Sequence, residues 1–369
     1  MKKLLLFAAA AVAFGASAQT LTQMWKVKTE GNASLPTNEV RQGVGMNGKI
    51  YINNKADQKV YVVDKDGVSA TTLPGGKNCG INRDQAGNLM VSDAGFPNSW
   101  IGSPVIKVYN PQTPENVTEL VIPEDIPAGR CDFLGIGTDD LTADGKLLLT
   151  FKDVKSIYRL GVSGGEVSKY DSFKAVSDEG LAYTNEIVIN PFNDGQEIKY
   201  LYVYRSGAPA IIVGDENDEN FTTEKSLNLE NKGASNGAEI FTLGGKKYIV
   251  YPAAPNYSDG FAIGCLDDEP GEKGLIKAIV QQKEEYAKPN GINANWLNVE
   301  PVSNTEATIY QYVPGAYCAA YSFKLPAEQT GINDVNAAKD VKVRKVYENG
   351  QVYIIKGDVK YNVMGAQVK

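Results

Sequence analysis

Six short segments of the same pattern recur along the chain, and this repeat limits the possible folds more than any other feature. Each segment has a glycine, an apolar residue, a turn and then an apolar strand. Successive glycines lie 37, 55, 45, 57 and 54 residues apart, and a period of about 40 to 50 residues is typical of propeller blades. The chain is therefore predicted to be all-β, a six-bladed β-propeller of four-stranded blades. The segments contain Gly43, Gly80, Gly135, Gly180, Gly237 and Gly291.

Tight turns and one unassigned strand complete this prediction. Asn47-Gly48 and Asp144-Gly145 precede apolar strands, and both dipeptides tolerate the positive φ that hairpin turns need. Pro326 follows the third strand of blade six almost at once, so that blade lacks an outer strand. Residues 24–28 form a strand that belongs to no blade. We predict that they supply the missing outer strand and so close the ring without an open edge.

One blade also carries a family likeness. Residues 78–93, NCGINRDQAGNLMVSD, contain Gly80, an apolar residue, Asp84, the pair Gly87-Asn88 and an apolar strand that ends at Asp93. This segment resembles the blades of the six-bladed NHL-repeat proteins and of the calcium-dependent lactonases of the senescence-marker type. The resemblance implies the fold, and it implies that a calcium site built from Glu, Asn and Asp could lie at the channel mouth.

The first 18 residues read as a signal peptide. Lys2 and Lys3 are followed by an apolar stretch at residues 4–13 and by the small residues Ala16-Ser17-Ala18, which is the pattern of a cleaved export signal. The mature chain is expected to begin at Gln19 and to lie in the periplasm, at the cell surface or outside the cell. Membrane insertion is not expected, because no later apolar run reaches the roughly 20 residues that span a bilayer.

Charge and composition exclude several partners and chemistries. Removal of Lys2 and Lys3 takes the net charge from −7 to −9, so nucleic acid and anionic lipid are not expected as partners. Histidine is absent, which excludes Ser-His-Asp and Cys-His catalysis and every His-ligated metal.

The cysteines have no C-x-x-C pair. Cys79 and Cys131 precede the same element of successive blades, so they either form a disulfide or remain buried thiols.

The residues at the start of each inner strand are predicted to ring one mouth of the central channel, since first strands face the axis. Most of them carry side-chain oxygen atoms, and Glu179 with Asn236 and Asn290 could hold a hard cation such as calcium. Polar residues that line any water-filled channel are the alternative reading. The predicted ring contains Arg41, Gln42, Asn78, Asp132, Asp178, Glu179, Asn236 and Asn290.

Three classes of function follow. The first is a non-catalytic binding or scaffold module, for which Trp100, in a long loop, could stack on a glycan; a peptide or an envelope protein is the other expected partner. The second is a calcium-dependent hydrolase or lyase of lactonase type acting on a sugar-derived substrate, with Asp93, Asp139 or Asp140 as carboxylates. The third is a structural subunit of a surface complex. The protein is expected to be a monomer. The acidic run at residues 215–220 is expected to be a solvated loop.

The C-terminal part is predicted to be separate from the propeller, which spans residues 19–326. Residues 327–340 are polar and read as a linker. Residues 341–369 form a small β appendage of short strands. Residues 361–368, YNVMGAQV, resemble part of the sorting tails of proteins exported by the type IX system, which implies surface anchoring. A small sheet with no such role is the alternative.

Overall fold

A computed structural model describes most of the chain. The chain divides into two compact units, Met1–Pro326 and Ala327–Lys369. The described residues are 19–93, 104–123, 131–151, 156–174, 187–195, 197–204, 207–214, 221–233, 237–253, 260–282, 294–326, 343–348, 351–356, 359–362 and 367–368.

The first unit is a ring of six antiparallel sheets, which confirms the predicted six-bladed propeller. The first strand is β1 (Thr20–Lys28). Blade one consists of β2 (Gly43–Met46), β3 (Lys49–Asn54), β4 (Lys59–Asp64) and β5 (Gly67–Pro74). Blade two consists of β6 (Ile81–Arg83), β7 (Leu89–Ser92), β8 (Val105–Tyr109) and β9 (Thr118–Val121). Blade three consists of β10 (Gly145–Thr150), β11 (Ser156–Ser163) and β12 (Glu166–Lys174). Blade four consists of β13 (Ile187–Asp194), β14 (Glu197–Tyr204), β15 (Ala210–Val213) and β16 (Thr222–Ser226).

Blades five and six complete the ring. A short parallel pair, β17 (Asn228–Leu229) with β21 (Leu275–Ile276), and a 3-10 helix, Glu272–Gly274, lie beside blade five. Blade five is β18 (Glu239–Leu243), β19 (Lys246–Pro252), β20 (Phe261–Cys265) and β22 (Ala278–Gln282), and blade six is β23 (Trp296–Pro301), β24 (Glu306–Val313), β25 (Tyr317–Lys324) and β1.

The N-terminal strand is the outer strand of blade six, as predicted. β1 pairs antiparallel with β25 along its whole length, from Thr20 opposite Lys324 to Lys28 opposite Tyr317. Trp25 and Val27 pack on a core cluster shared by blades six and one. The two ends of the propeller are thus held in one sheet, and the ring has no free edge at its seam.

Two inner strands differ from their predicted positions. Blade four was expected to start at Gly180, which lies outside the described residues. Its inner strand is instead Ile187–Asp194, the first strand of the sheet. This strand contacts β18 of blade five, and its Asn190 accepts a hydrogen bond from the Ile136 amide in blade three. In blade six the inner strand is Trp296–Pro301, whereas Gly291 was predicted to start it. The turn at Asp194-Gly195, where Gly195 has φ +69°, is the overlooked hairpin signal.

Blade three has three paired strands in the part of the chain that is described. Residues 134–137 occupy the inner position, but their backbone amides bond to other blades. Ile136 N donates to Asn190 Oδ1 of blade four (3.0 Å), and Gly137 N donates to the carbonyl of Arg83 in blade two (3.0 Å). These amides are therefore satisfied by the ring rather than by a ladder within blade three.

Two of the repeated glycines have a steric reason at the axis. A Cβ at Gly135 would overlap the carbonyl oxygen of Ile189 in the next blade, and a Cβ at Gly237 would overlap the carbonyl oxygen of Asn295. The backbones of neighbouring blades touch at these points, so a side chain has no space. Apolar side chains fill the remaining volume between adjacent sheets, as in the cluster of Val44 and Met46 with Ile81 and Leu89.

All four cysteines are free and buried, including Cys79 and Cys131. Burial raises the pKa of each of these two thiols to about 12, so the neutral thiol prevails at any ordinary pH. We therefore expect iodoacetamide at pH 8 to leave the native protein unlabelled and to label four cysteines in denaturant without reductant. Mass spectrometry gives the count, and fewer than four labels in denaturant would reveal a disulfide and contradict the structure.

The C-terminal unit is a four-stranded antiparallel sheet. Its strands are β26 (Val343–Glu348), β27 (Gln351–Lys356), β28 (Val359–Asn362) and β29 (Gln367–Val368), paired in that order. Among the residues described, no helix has the length and apolar character that a membrane crossing requires.

Candidate functional site

Four of the predicted channel-mouth residues lie together where the inner strands begin. Arg41 Nη1 forms an ion pair with Asp132 Oδ2 at 3.0 Å, and the Asp132 side chain is fully buried. Asn78 Nδ2 donates to the carbonyl of Cys131 at 2.8 Å, while its Oδ1 accepts from the amide of Cys79. These contacts join blade three to blades one and two at the start of the channel.

Gln42 occupies the centre of this cluster. It is 1% exposed. Its Oε1 accepts from the amides of Ile81 (3.1 Å) and Leu134 (3.0 Å), and its Nε2 donates to the carbonyl of Leu134 (2.8 Å). One side chain from blade one thus satisfies backbone groups of blades two and three. This arrangement stabilises the ring and uses the polar atoms that were predicted to bind a ligand.

We expect Gln42→Leu to lower the free energy of unfolding by about 2 to 5 kcal/mol, because two buried amides lose their acceptor. Urea unfolding of the purified protein measures the change. Gln112→Leu, an exposed glutamine, is the matched control and should change the value by less than about 0.5 kcal/mol. Equal, small effects of the two variants would show that Gln42 does not hold the blades.

The rest of the predicted mouth lies outside the described residues. This holds for Asp178, Glu179, Asn236, Asn290 and the loop residue Trp100. The calcium set of Glu179, Asn236 and Asn290 and the glycan-stacking role of Trp100 therefore stay predictions. Within the described part of the chain, no group of three or more acidic, Cys or His side chains is placed to hold a metal.

The carboxylates suggested for catalysis do not converge. Asp93 pairs with Lys107 (3.0 Å) at the end of β7. Asp140 accepts from Asn88 Nδ2 (3.0 Å) and from the Thr142 hydroxyl (2.6 Å) in the turn before β10. Asp139 lies beside it with φ +51°. Asp140 thus joins the hairpins of blades two and three, which is a structural role at the other end of the inner strands.

A cavity of about 660 Å³ opens at that other end, where the inner strands run into their hairpins. All six blades contribute to it, and volumes of roughly 300–1,000 Å³ are typical of small-molecule sites. The wall consists of Met46 and Asn47 from blade one, residues 83–87 with Asn110 and Gln112 from blade two, Ile136 from blade three, residues 191–193 from blade four, residues 239–242 from blade five and residues 299–301 from blade six.

An ion pair across the axis is part of the cavity wall. Arg83 of blade two donates from Nη2 to Glu239 Oε1 of blade five at 2.7 Å, and these blades are opposite each other in a ring of six. The same Nη2 donates to the carbonyl of Val299 in blade six at 3.0 Å. Glu239 Oε2 accepts from the Val299 amide at 3.2 Å. One charged pair therefore spans the channel and ties three blades together.

The other two carboxylates of the cavity are also bonded to protein. Asp84 is fully buried and accepts from the amides of Asn88 (2.8 Å) and Leu141 (2.9 Å); burial nevertheless raises its pKa above the usual value. Glu300 accepts from the Asn47 amide at 3.0 Å and from the Tyr310 hydroxyl. These acceptor bonds hold the hairpins that form the rim, and they leave no carboxylate of the cavity without a protein partner.

Asparagines on alternate inner strands complete the scaffold beneath the cavity. Asn82, Asn190 and Asn298 belong to blades two, four and six, and each is at least 93% buried. Each bonds to the backbone of an adjacent blade. The bonds join Asn82 Nδ2 to Leu134 O (2.7 Å), Asn190 Nδ2 to Ala238 O (2.9 Å) and Gly45 N to Asn298 Oδ1 (2.9 Å).

One donor in this region has no acceptor. In the described residues, Arg83 Nη1 is a buried nitrogen without a hydrogen-bond partner. Exposed amides and a hydroxyl surround the opening, among them Asn47, Gln85, Asn193 and Thr242. The predicted ring of polar residues does not include this cavity, because that ring covers only the mouth where the inner strands begin. The hairpin turns Asn47-Gly48, Gly87-Asn88 and Asp194-Gly195 mark the second mouth in the sequence.

Comparison with known proteins gives no family. No family model and no curated protein matches the sequence significantly. Among solved structures, the chain is similar to a subtype N10 neuraminidase-like protein of A/little yellow-shouldered bat/Guatemala/060/2010, with 8% identity, 82% of this chain and 99% of that chain covered, and a TM-score of 0.48. A gluconolactonase-like protein gives 10% identity, coverages of 83% and 92%, and a TM-score of 0.41.

A third similar structure is a dihydro-heme d1 dehydrogenase, with 12% identity, 94% of this chain and 78% of that chain covered, and a TM-score of 0.36. At 8–12% identity and with TM-scores below 0.5, these likenesses carry no information on the activity of this chain. The function therefore has to be argued from the residues of the site.

Proposed function

We propose that this protein is an exported, non-catalytic binding module that takes its ligand in the cavity at the hairpin end of the channel. The observation that carries the proposal is the cavity itself, about 660 Å³ in volume and lined by all six blades. A site assembled by every blade is held by the whole ring, so it is preorganised for a ligand. A glycan, a peptide or an envelope protein remains the expected partner class.

The bonding of the carboxylates favours binding over catalysis. A glycosidase or lactonase needs a carboxyl group that can exchange a proton with substrate or water. In the cavity, Asp84, Glu239 and Glu300 each accept hydrogen bonds from protein groups. Their oxygens position the hairpins instead of facing a reacting bond, which supports a binding site without turnover.

Export is supported by the first 18 residues, with Lys2 and Lys3, an apolar stretch and Ala16-Ser17-Ala18. N-terminal sequencing of the protein from the cell envelope is expected to start at Gln19. Recovery of the uncleaved chain from the cytoplasm alone would contradict this part of the proposal.

The binding role is tested by filling the cavity. Thr242 is exposed at the rim on β18, and Thr242→Trp should abolish binding of any ligand found by screening saccharides and peptides with isothermal titration calorimetry. Thr71→Trp, on the exposed outer strand β5, is the control and should bind normally at the same melting temperature. A ligand that binds Thr242→Trp unchanged, or that is recovered chemically altered, would refute the proposal.

A further inference from the structure

The charges of the cavity limit what it can accept. Among the described residues that line it, Asp84, Glu239 and Glu300 carry carboxylates and Arg83 carries a guanidinium. An anionic ligand would therefore enter a region of net negative charge, which is unfavourable. A cationic ligand would approach Arg83 and would find carboxylates whose oxygens already accept hydrogen bonds from the protein. The net negative charge therefore disfavours an anion, whereas a cation is attracted but pays for its own desolvation and meets carboxylates that already bond to the protein. A neutral ligand avoids both costs.

The polar groups that remain require both donors and acceptors from the ligand. Side-chain amides, each with a carbonyl oxygen and an NH₂ group, surround the opening at Asn47, Asn110, Gln112 and Asn193. Arg83 adds donors, since it lines the cavity and 14% of its side chain is exposed. An oxygen atom of a ligand that reaches the guanidinium accepts a charge-assisted hydrogen bond. Hydroxyl groups meet both needs, because each donates once and accepts twice.

The shape of the cavity distinguishes a small ligand from a long one. The Arg83–Glu239 pair spans the channel axis, so a chain cannot thread through at this point. Phe192, Phe241 and Pro191 supply apolar wall among the amides, which suits the C–H faces of a sugar ring. An extended peptide would instead need a groove or a free sheet edge for its backbone, and the ring has no free edge at its seam.

We propose that the cavity binds the terminal unit of a neutral saccharide, with an oxygen atom of the sugar accepting a hydrogen bond from Arg83. This inference rests on the proposed binding function and names the class of its ligand. Arg83 then has two roles: Nη2 holds blades five and six, and the remaining guanidinium donors bind the sugar.

Calorimetric titration of the full mature chain with three groups of probes tests the inference. The probes are neutral di- and trisaccharides (including N,N′-diacetylchitobiose), deacetylated chitobiose as the cation and digalacturonate as the anion. We expect binding by neutral probes only, and its loss in Thr242→Trp. Binding at the cavity by the charged probes alone would overturn the inference of a neutral saccharide and leave the binding function standing. No Thr242→Trp-sensitive binding by any probe would overturn both.

The role of Arg83 is tested in the neutral-saccharide complex. Arg83→Met/Glu239→Gln removes the guanidinium without leaving an unpaired buried charge, and Gln can still accept from the Val299 amide. We expect a loss of affinity of about tenfold to a hundredfold. Lys324→Met, which breaks an ion pair with Glu306 on blade six, is the control and should leave affinity unchanged. Unchanged affinity in the double variant, with melting confirming a folded protein, would overturn the assignment of Arg83.

Discussion

Replacing Gly237 by alanine is expected to lower the free energy of unfolding by about 3 kcal/mol or more, the upper range for overpacking. The added Cβ would overlap the carbonyl oxygen of Asn295 and approach Trp296 Cα at 2.6 Å. Both contacts are to the backbone of blade six, so no side-chain rotation relieves them. The inner strands of blades five and six would have to separate, and urea unfolding followed by circular dichroism measures the consequence.

Gly161→Ala is the matched control for this substitution. Gly161 also lies in a strand, β11, but a Cβ there would meet its nearest neighbour, the Lys169 carbonyl oxygen, at 3.5 Å, an ordinary contact. We expect the control to unfold within about 0.5 kcal/mol of the parent protein. If the two variants were equally stable, the inner strands would not be in the close contact that the ring requires.

Removing β1 is expected to prevent cooperative folding of the propeller. A mature chain that starts at Gly31 lacks the whole outer strand of blade six, and with it the partner of β25 from Tyr317 to Lys324. The loss also exposes the apolar surface covered by Leu21, Trp25 and Val27. The free energy of unfolding of a domain is only about 5–15 kcal/mol. The strand pairing and apolar burial lost with β1 are expected to be worth a comparable amount.

Thermal melting and gel filtration give the result for this truncation. We expect no cooperative transition and elution as aggregates, because an uncovered edge strand pairs with other chains. A chain that ends at Pro326 is the control, since the C-terminal residues form a compact unit of their own; it should melt as the parent does. A cooperative melt of the chain starting at Gly31 would show that β1 does not close the ring.

The sequence predicted the ring because two kinds of local information agreed in most blades. Glycines such as Gly135 and Gly237 are required where backbones touch at the axis, and turns such as Asn47-Gly48 report a hairpin whatever surrounds it. The same logic placed β1, because blade six lacked an outer strand and residues 24–28 had no blade. These features depend on short stretches of chain and can be read without tertiary contacts.

The inner strands of blades four and six could not be read in this way. Ile187–Asp194 and Trp296–Pro301 carry no glycine at the axis. Their blades use Asn190 and Asn298, whose side chains bond to the neighbouring blade, so a search for a repeated glycine selected positions upstream. An asparagine that bonds to another blade looks the same in sequence as one exposed in a loop.

The candidate site shows the same limit more strongly. Gln42 and Asn78 were predicted to ring a channel mouth, and the structure shows that they also form bonds between blades; their role toward a ligand stays a prediction. The pair of Arg83 and Glu239 is 156 residues apart in sequence, and their meeting across the axis depends on the complete ring. Charge and residue type alone do not reveal which polar side chains remain available to a ligand.

Closure of the ring by the N-terminal strand is tested most directly by a disulfide across the seam. Val27 lies opposite Cys318 in the register of β1 and β25, and opposed side chains on one face of a sheet are close enough to be oxidised to a disulfide. When Val27→Cys is refolded in a glutathione redox buffer, peptide mass spectrometry should find one disulfide, between position 27 and Cys318. Met24→Cys, at an exposed position outside the pairing register, should not link to Cys318. No link in Val27→Cys, or equal linking of both variants, would contradict the closed six-bladed ring.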